Sequence, residues 1–258
     1  MKKLPFVFAG AVLAGLGIYF LGPPWKNDIC MIGHRGYSGV HQDNTALAFA
    51  AAAEHGFGGC ETDVRITKDG QFVCNHNAEV KFHDGTELLV AEHSLEELKA
   101  KPLFNEHNNG EVPYICTFAE YLEIMRDNNM ICFVELKGEF PKDKIKEMFE
   151  LADEIYDLSM VELQSFEIEN LKMARELFPQ LRVMLTWGQD RGPYTEALNL
   201  GFNIDANINA SKRSIVKDFH RRGQTVGFWT CNDIFRLRKA QWRKPDYIES
   251  DFFGQKKR

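Results

Sequence analysis

Two short motifs near the start of the sequence carry residue types that are suited to catalysis. GHRG at residues 33–36 ends one apolar run, and ETD at residues 61–63 lies within the next. Because side chains two apart on a strand face the same side, Glu61 and Asp63 should point together. Two crowded carboxylates repel each other unless a cation compensates, and hard divalent cations prefer oxygen ligands. The pair therefore predicts a site for one divalent cation, Ca²⁺ or Mg²⁺.

A third carboxylate repeats this arrangement farther along the chain. Glu135 and Lys137 fall on one face of the run 131–137, away from its apolar neighbours. We expect Glu135 to be the third metal ligand. A single acidic residue on a strand is as often an ion-pair partner, but three at the carboxyl ends of neighbouring barrel strands favour an active site.

Two histidines and two cations complete the set of candidate residues. His34 ends the first strand, and His76 ends a hairpin predicted beside the second. An imidazole, whose ordinary pKa is near 6.5, can accept or donate a proton during catalysis. Arg35 and Lys137 supply positive charge for phosphate oxygens, and an arginine can bind two of them at once. These groups together predict metal-assisted cleavage of a phosphodiester.

The rest of the sequence predicts the fold that would position these residues. After residue 28, β-branched or aromatic runs alternate with amphipathic helical stretches, which indicates repeated βα units and a parallel sheet. Eight such strands would close into a TIM (β/α)8 barrel. The strands are predicted at residues 29–33, 59–65, 131–137, 161–166, 182–186, 202–205, 225–230 and 246–250. Helices are predicted at residues 45–55, 142–156, 167–177, 193–200, 211–222 and 233–241, with Asn44 and Ser211 as N-caps.

Residues 67–113 interrupt the βα pattern after the second strand. The turn signal TKDG at residues 67–70 predicts that residues 71–76 fold back as a hairpin. Residues 78–113 are irregular apart from a helical run at 94–100, and we interpret them as an insertion over the barrel mouth. A helix at 117–126 follows. The chain would then consist of an anchor and linker at residues 1–28 and one barrel domain at residues 29–258.

The N-terminal segment differs from the rest of the chain. Lys2 and Lys3 precede residues 4–21, which contain no charged side chain, and Trp25 and Lys26 follow. A run of this length, at about 1.5 Å per residue, can span a hydrocarbon core of about 30 Å. We therefore expect a transmembrane helix, with the catalytic domain on the extracytoplasmic side. A cleaved secretory signal and a buried core helix are the alternatives, and the lack of an A-x-A-like site disfavours cleavage.

Charge and cysteine usage narrow the function further. The net charge of −6, without any basic stripe, argues against nucleic-acid binding. The six cysteines have neither a zinc-ligand spacing nor the spacing of a disulfide scaffold, so we interpret them as buried thiols. Free thiols are unusual in an oxidising compartment, which weighs slightly against export. The oligomeric state is open.

The motifs resemble those of the glycerophosphodiester phosphodiesterase family, a group of TIM-barrel enzymes. The likeness covers nearly everything after residue 28 and depends on GHRG at 33–36, DNT at 43–45, ETD at 61–63, TKDG at 67–70 leading to His76, and VELK at 134–137. Weaker matches are QSF at 164–166, FWTCN at 228–232 and PDYIESD at 245–251. The resemblance implies metal-dependent hydrolysis of glycerophosphodiesters to glycerol 3-phosphate and an alcohol. The roles that it implies are general acid and base for His34 and His76, metal ligands for Glu61, Asp63 and Glu135, phosphate contacts for Arg35 and Lys137, and a wall of the substrate pocket for Trp229.

Two positions depart from the family's usual pattern. Asp43 stands where the family usually has glutamate, which keeps the charge but shortens its reach. We expect Asp43 to support a neighbouring group or a helix N-terminus. Asn77 stands where the family usually has aspartate, which removes a charge beside His76 and should lower the pKa of that histidine or loosen its orientation.

Two alternative functions stay open on the sequence alone. A lysophospholipase D-type lipid phosphodiesterase would use the same chemistry and bind lipid through apolar side chains of the insertion, for which the candidates are Phe82, Leu88, Leu89, Leu103 and Phe104. A non-catalytic barrel that binds phosphorylated polyols is less favoured, since only Asn77 supports it. Either water or a substrate hydroxyl could be the first group to attack phosphorus.

Overall fold

The computed structural model describes residues 29–188, 192 and 194–254. Within them, eight parallel strands close into a barrel, which confirms the predicted TIM fold. The strands, in chain order, are β1 (Cys30–Gly33), β2 (Gly59–Ile66), β3 (Phe72–Cys74), β4 (Glu79–Lys81), β5 (Glu87–Leu89), β6 (Cys116–Thr117), β7 (Ile131–Leu136), β8 (Val161–Ser165), β9 (Arg182–Trp187), β10 (Asn203–Asn207), β11 (Val226–Trp229) and β12 (Tyr247–Ser250). The α-helices are α1 (Ala46–Glu54), α2 (Leu95–Lys99), α3 (Phe118–Asp127), α4 (Lys142–Ile155), α5 (Ile168–Leu177), α6 (Thr195–Leu200), α7 (Arg213–His220) and α8 (Ile234–Arg243).

The barrel is built from β1, β2 and β7 to β12. Each of these strands pairs in parallel with the next, and β1 pairs with both β2 and β12, which closes the sheet. The register places Asp63 beside Glu135, and Gly33 beside Ser250. Because the barrel strands all run in one direction, their carboxyl ends meet at one end, which we call the mouth.

The barrel interior is apolar directly below the mouth. Ile32, Phe133, Met184 and Tyr247 form a buried cluster inside the barrel. Ile32 lies two residues before His34, and Phe133 two residues before Glu135, so each apolar side chain sits one layer deeper than a candidate site residue. The cluster therefore gives the polar residues at the mouth a packed, rigid floor.

The residues between β2 and β7 form the predicted hairpin and insertion. The hairpin is where the sequence places it, since β3 pairs antiparallel with β2, and β6 then pairs with β3. The β4–β5 hairpin and α2 pack around a small core of their own, which includes Phe82, Leu98 and Leu103. We call residues 78–113 the insertion, and part of it lines a cavity at the mouth.

Helix starts show where two cap predictions were wrong. Thr45, not Asn44, caps α1, because its side chain accepts a hydrogen bond from the Ala48 N–H, while Asn44 has a positive φ of 54° and turns its side chain elsewhere. α7 begins later than predicted, after Lys212, and the Ser211 hydroxyl instead accepts a hydrogen bond from Arg243. In both cases a partner distant in sequence outcompetes the local cap.

The predicted transmembrane helix at residues 4–21 lies outside the described residues. Among those that are described, no helix has the length and apolar character needed to cross a membrane. For comparison, α4 contains 14 residues and has a polar outer face.

The cysteines all fall in described parts of the chain and none forms a disulfide. Five are buried, as the sequence predicted, and Cys30 is half-buried. Burial raises the pKa of Cys132 to about 12, so this thiol stays protonated and unreactive at neutral pH.

Candidate active site

A cavity of about 170 Å³ opens at the mouth of the barrel. We call it the central cavity. All eight residues singled out in the sequence line it: His34, Arg35, Glu61, Asp63, His76, Glu135, Lys137 and Trp229. Phe166, Thr186, Asp205 and Glu249 complete the lining. The structure thus brings together residues from strands and loops separated by up to about two hundred positions in sequence.

The GHRG turn owes its glycines to close packing. Gly36 has a φ of +84°, and a Cβ there would lie 2.6 Å from the carbonyl carbon of Ala48 on α1. Only glycine fits this conformation and this contact without strain. The tight turn carries Arg35 over the mouth with its own positive φ of 60° and aims its backbone N–H at Glu61, whose Oε2 accepts it at 2.9 Å.

Three carboxylates converge at the centre of the cavity. Glu61, Asp63 and Glu135 are all buried, and each offers an oxygen within 4.8 Å of the others. Burial, together with repulsion from Asp63 and Glu249, raises the pKa of Glu61 well above its ordinary value. Burial also raises the pKa of Glu135, although Lys137 opposes the shift. A carboxylate cluster of this kind is stable in ionised form only when positive charge lies close by.

Arg35 and Lys137 supply positive charge on one side of the cluster. Arg35 Nε lies 3.1 Å from Asp63, and Lys137 Nζ lies 3.1 Å from Asp63 and 2.6 Å from Glu135. Burial alone would raise the pKa of Asp63, but Arg35 and Lys137, together with His76 and the hydrogen bond from Asn44, lower it to about 2. Asp43 holds the guanidinium from the other side, at 3.2 Å, so it supports Arg35 as the sequence predicted for a neighbouring group.

On the other side of the cluster, Glu61 and Glu249 form no ion pair with a cation in the described residues, and Arg35 offsets the charge of Glu61 only in part. Glu61 Oε1 is buried and, in the part of the chain that the structure describes, finds no hydrogen-bond donor. Glu249 offers an oxygen within 4.8 Å of both Glu61 and His34. Burial raises the pKa of Glu249 well above its ordinary value. An added cation or proton is needed here to offset the buried negative charge.

The two histidines have different partners. His34 Nδ1 lies 2.7 Å from Asp251, which also accepts a hydrogen bond from Asn232. His76 Nδ1 lies 2.8 Å from the side-chain oxygen of Asn77. Since that oxygen can only accept, Nδ1 of His76 carries the hydrogen, and Nε2 of the neutral ring is left as a proton acceptor. Burial is the main reason that the pKa of His76 is lowered, with Asp63 acting in the opposite direction.

Several residues near the site were not predicted. Asp205 and Glu249 sit inside predicted strands and face inward, and Gln164 donates to Glu249 at 2.9 Å. For Glu249, the available signal was its position two residues after the inward-facing Tyr247, which places it on the interior face. Asp205 carries no such signal, because residues 203 and 207 are both asparagine. Asn44 is the most informative omission: its amide donates to Asp63 at 2.8 Å, and its oxygen accepts from the Asp63 N–H and the Thr62 hydroxyl.

Replacing Asn44 with alanine should lower kcat by about 10- to 100-fold, because Asp63 would lose the group that orients its carboxylate. Alanine also fits the positive φ poorly, so Asn44→Gly is the matched control that removes the amide without that strain. Steady-state kinetics and thermal unfolding of both variants check this. Normal kcat in the glycine variant would contradict a positioning role for the amide.

Comparison with known proteins places the chain in a family. The glycerophosphoryl diester phosphodiesterase family model matches residues 34–252. A glycerophosphodiester phosphodiesterase of Bacillus altitudinis is 26% identical over 233 residues, which are 85% of this chain and 93% of that protein. A protein of the same name from Caldanaerobacter subterraneus subsp. tengcongensis is 33% identical over 162 residues, 61% of this chain and 66% of that one.

Solved structures show the same fold. A phosphodiesterase of Oleispira antarctica, solved in complex with the product sn-glycerol-3-phosphate, has a TM-score of 0.78 at 23% identity, covering 86% of this chain and 93% of that one. A glycerophosphodiester phosphodiesterase of Thermotoga maritima has a TM-score of 0.71 at 24% identity. The match covers 88% of this chain and 96% of that one. The chain belongs to the glycerophosphoryl diester phosphodiesterase family, which is a family of hydrolases.

Proposed function

We propose that this protein is a metal-dependent enzyme that hydrolyses glycerophosphodiesters to sn-glycerol 3-phosphate and an alcohol. The observation that carries the proposal is the convergence of three buried carboxylates, two cations and two histidines on one small cavity. Family membership supports the same reaction. A phosphodiester carries one negative charge and develops more during hydrolysis, so it needs a site where positive charge and proton donors meet.

The residues of the central cavity fit a divalent cation. Five carboxyl groups line the cavity against the two cations Arg35 and Lys137. Glu61 Oε1 is a buried oxygen for which the described residues supply no donor, and Asp63 and Glu135 add oxygens within 4.8 Å. We propose that these three residues hold the ion, and oxygen ligands favour Ca²⁺ or Mg²⁺. When bound, the ion would polarise a phosphate oxygen and offset the charge that develops on it.

The histidines differ enough to assign them separate roles. His76 has a lowered pKa and a neutral partner, so it is unprotonated at neutral pH and suited to accept a proton from the attacking oxygen. We assign that role to it. His34, oriented by Asp251 and facing the same cavity, then donates the proton that the departing alkoxide needs. The attacking oxygen is that of water or of the neighbouring hydroxyl of the glycerol moiety.

Arg35, Lys137 and Trp229 are assigned to substrate binding. The two cations face the cavity beside the carboxylates, where they can contact non-bridging phosphate oxygens. The Trp229 indole N–H donates to the Asp205 carbonyl oxygen at 3.2 Å. The Trp229 ring packs edge-on against the Phe166 ring, with 5.9 Å between the ring centres. These contacts hold the indole as an apolar wall, against which the carbon atoms of glycerol can pack.

Products formed in ¹⁸O-labelled water test the reaction directly. With glycerophosphocholine and either Mg²⁺ or Ca²⁺, we expect sn-glycerol 3-phosphate that carries the label and choline that does not. Formation of phosphocholine and glycerol would overturn the proposed bond cleavage. Accumulation of a cyclic glycerophosphate before the final product would assign the first attack to the substrate hydroxyl, and its absence at all times to water.

The site favours water-soluble esters over lysolipids. Of the apolar residues of the insertion that could bind acyl chains, Phe82 and Leu103 are buried in its core and Leu88 packs against that core. Leu89 and Phe104 are the partly exposed pair, with 38% and 39% of their surface accessible. We therefore propose lysophospholipase D-type activity only as a secondary function, and turnover on lysolipid micelles should be lower than on glycerophosphocholine.

Membrane anchoring through residues 4–21 is a further proposal, supported by the uncharged stretch in the sequence. Ile29 enters β1 at the end of the barrel opposite the mouth, since β1 runs toward the mouth. An anchor would thus hold the barrel by its far end and leave the mouth facing the aqueous phase. By the positive-inside rule, that phase lies outside the cytoplasm. Full-length protein that stays soluble after expression in cells, with its residues 1–28 intact, would contradict anchoring.

A further inference from the structure

A second cavity, of about 350 Å³, adjoins the central one. We call it the side cavity. It shares His34, Arg35 and His76 with the central cavity, and its outer wall comes from the insertion. A phosphate bound at the three shared residues would therefore have one ester group in each cavity.

Resting on the proposed function, we propose that the side cavity binds the departing alcohol and selects alcohols that carry an ammonium group. The central cavity, with the Trp229 wall and about half the volume, is left for the glycerol moiety. The preference for an ammonium group comes from the charges on the insertion side. Apart from the shared residues, the charged side chains that line the side cavity are Asp43, Asp251, Glu79, Glu106 and Lys81.

Of these carboxylates, Glu79 and Glu106 lack a close ion-pair partner among the described residues. Asp43 is held by Arg35, and Asp251 by His34. In the described part of the chain, Glu106 has one distant cationic neighbour, His107 Nε2 at 3.7 Å, and most of its side chain is exposed. For Glu79, the structure shows no cation within ion-pair distance in the described residues, and its electrostatic partner at longer range is Arg65. Carboxylates on the wall of a cavity attract a cationic group and repel an anionic one.

Phe104 adds an aromatic face, and Lys81 shows that this face attracts cations. The Lys81 ammonium lies 4.5 Å from the centre of the Phe104 ring, which is partly exposed to the cavity. Aromatic faces bind quaternary ammonium groups by the same electrostatic attraction. Lys81 also opposes the binding of a cationic ligand, because it carries the same charge and covers the face of the Phe104 ring. Removal of the carboxylates should therefore weaken the preference for an ammonium group, whereas removal of Lys81 should strengthen it.

Specificity ratios test the inference. The measured quantity is kcat/KM for glycerophosphocholine or glycerophosphoethanolamine divided by kcat/KM for glycerophosphoglycerol, whose alcohol is neutral. The double variant Glu79→Gln with Glu106→Gln should lower the ratio about fivefold, as expected for two partly exposed charges. Lys81→Gln should raise it about threefold. Glu96→Gln, which removes an exposed carboxylate of α2 outside the cavity lining, is the matched control.

The outcomes separate this inference from the proposed function. Ratios that fall in the double variant and rise in Lys81→Gln support an ammonium-selective side cavity. Ratios that do not change, or that shift in the same direction in both variants, would overturn it while leaving hydrolysis itself established. If the wild-type protein hydrolyses none of the three esters, the proposed function fails and the inference fails with it.

Discussion

Glu61→Gln should lower the rate of glycerophosphocholine hydrolysis by at least about a thousandfold, because it removes the buried oxygen on which the proposed metal site centres. The variant should also fail to gain stability when Mg²⁺ or Ca²⁺ is added, whereas the wild-type protein should unfold at a higher temperature with the ion bound. Activity assays and thermal unfolding, each with and without metal, measure both effects.

Unfolding in chelator distinguishes this result from simple misfolding. Without metal, Glu61 is a buried carboxyl group repelled by Asp63 and Glu249, and its pKa is raised. At pH values above the ordinary pKa of glutamate, the unfolded state therefore loses the proton more readily than the folded state, and the folded state is destabilised. Replacing Glu61 with glutamine removes this cost, so the metal-free variant should be no less stable than the metal-free wild type. A large loss of stability in chelator would mean that Glu61 is structural, and retained activity would contradict its role as a ligand.

Replacement of either histidine by asparagine should slow hydrolysis of glycerophosphocholine by about 10² to 10⁴, the usual contribution of general acid–base catalysis. The hydrolysis rates of the two variants should differ on a p-nitrophenyl ester of glycerol 3-phosphate, because its leaving group departs without needing a proton. His34→Asn, which lacks the proposed acid, should regain most of the wild-type rate on that ester. His76→Asn, which lacks the proposed base, should stay slow on both substrates.

His83→Asn provides the matched control, because His83 is exposed on the insertion and lies outside both cavities. Its activity on both esters should equal that of the wild type. Rescue of His76→Asn in place of His34→Asn would exchange the two roles. Equal slowing of both variants on both esters would show that neither histidine protonates the leaving group.

The barrel, and the meeting of the candidate site residues at its mouth, were predictable from the sequence for a physical reason. Strand residues alternate between faces, so Glu61 with Asp63, and Glu135 with Lys137, had to point together. Parallel strands in a closed barrel then bring their carboxyl ends to one mouth, whatever the distance along the chain. Local pattern and barrel closure thus suffice to place the candidate residues on one cavity.

The supporting residues depend on contacts that local patterns do not encode. The sequence around Asn44 is typical of a helix cap. In the structure, its positive φ directs the amide to Asp63 on β2. The sequence around Asp205 and Glu249 is that of ordinary strands. The two side chains approach each other because β10 and β12 both pair with β11. The side cavity depends on where the insertion docks, which its irregular sequence does not specify.

Removal and return of the metal is the measurement that tests the central proposal most directly. Protein dialysed against a chelator should release no sn-glycerol 3-phosphate from glycerophosphocholine, and addition of Mg²⁺ or Ca²⁺ should restore the reaction in the wild type but not in Glu61→Gln. Full activity of the chelator-treated wild type, with no bound metal detected by elemental analysis, would contradict a metal site built from Glu61, Asp63 and Glu135.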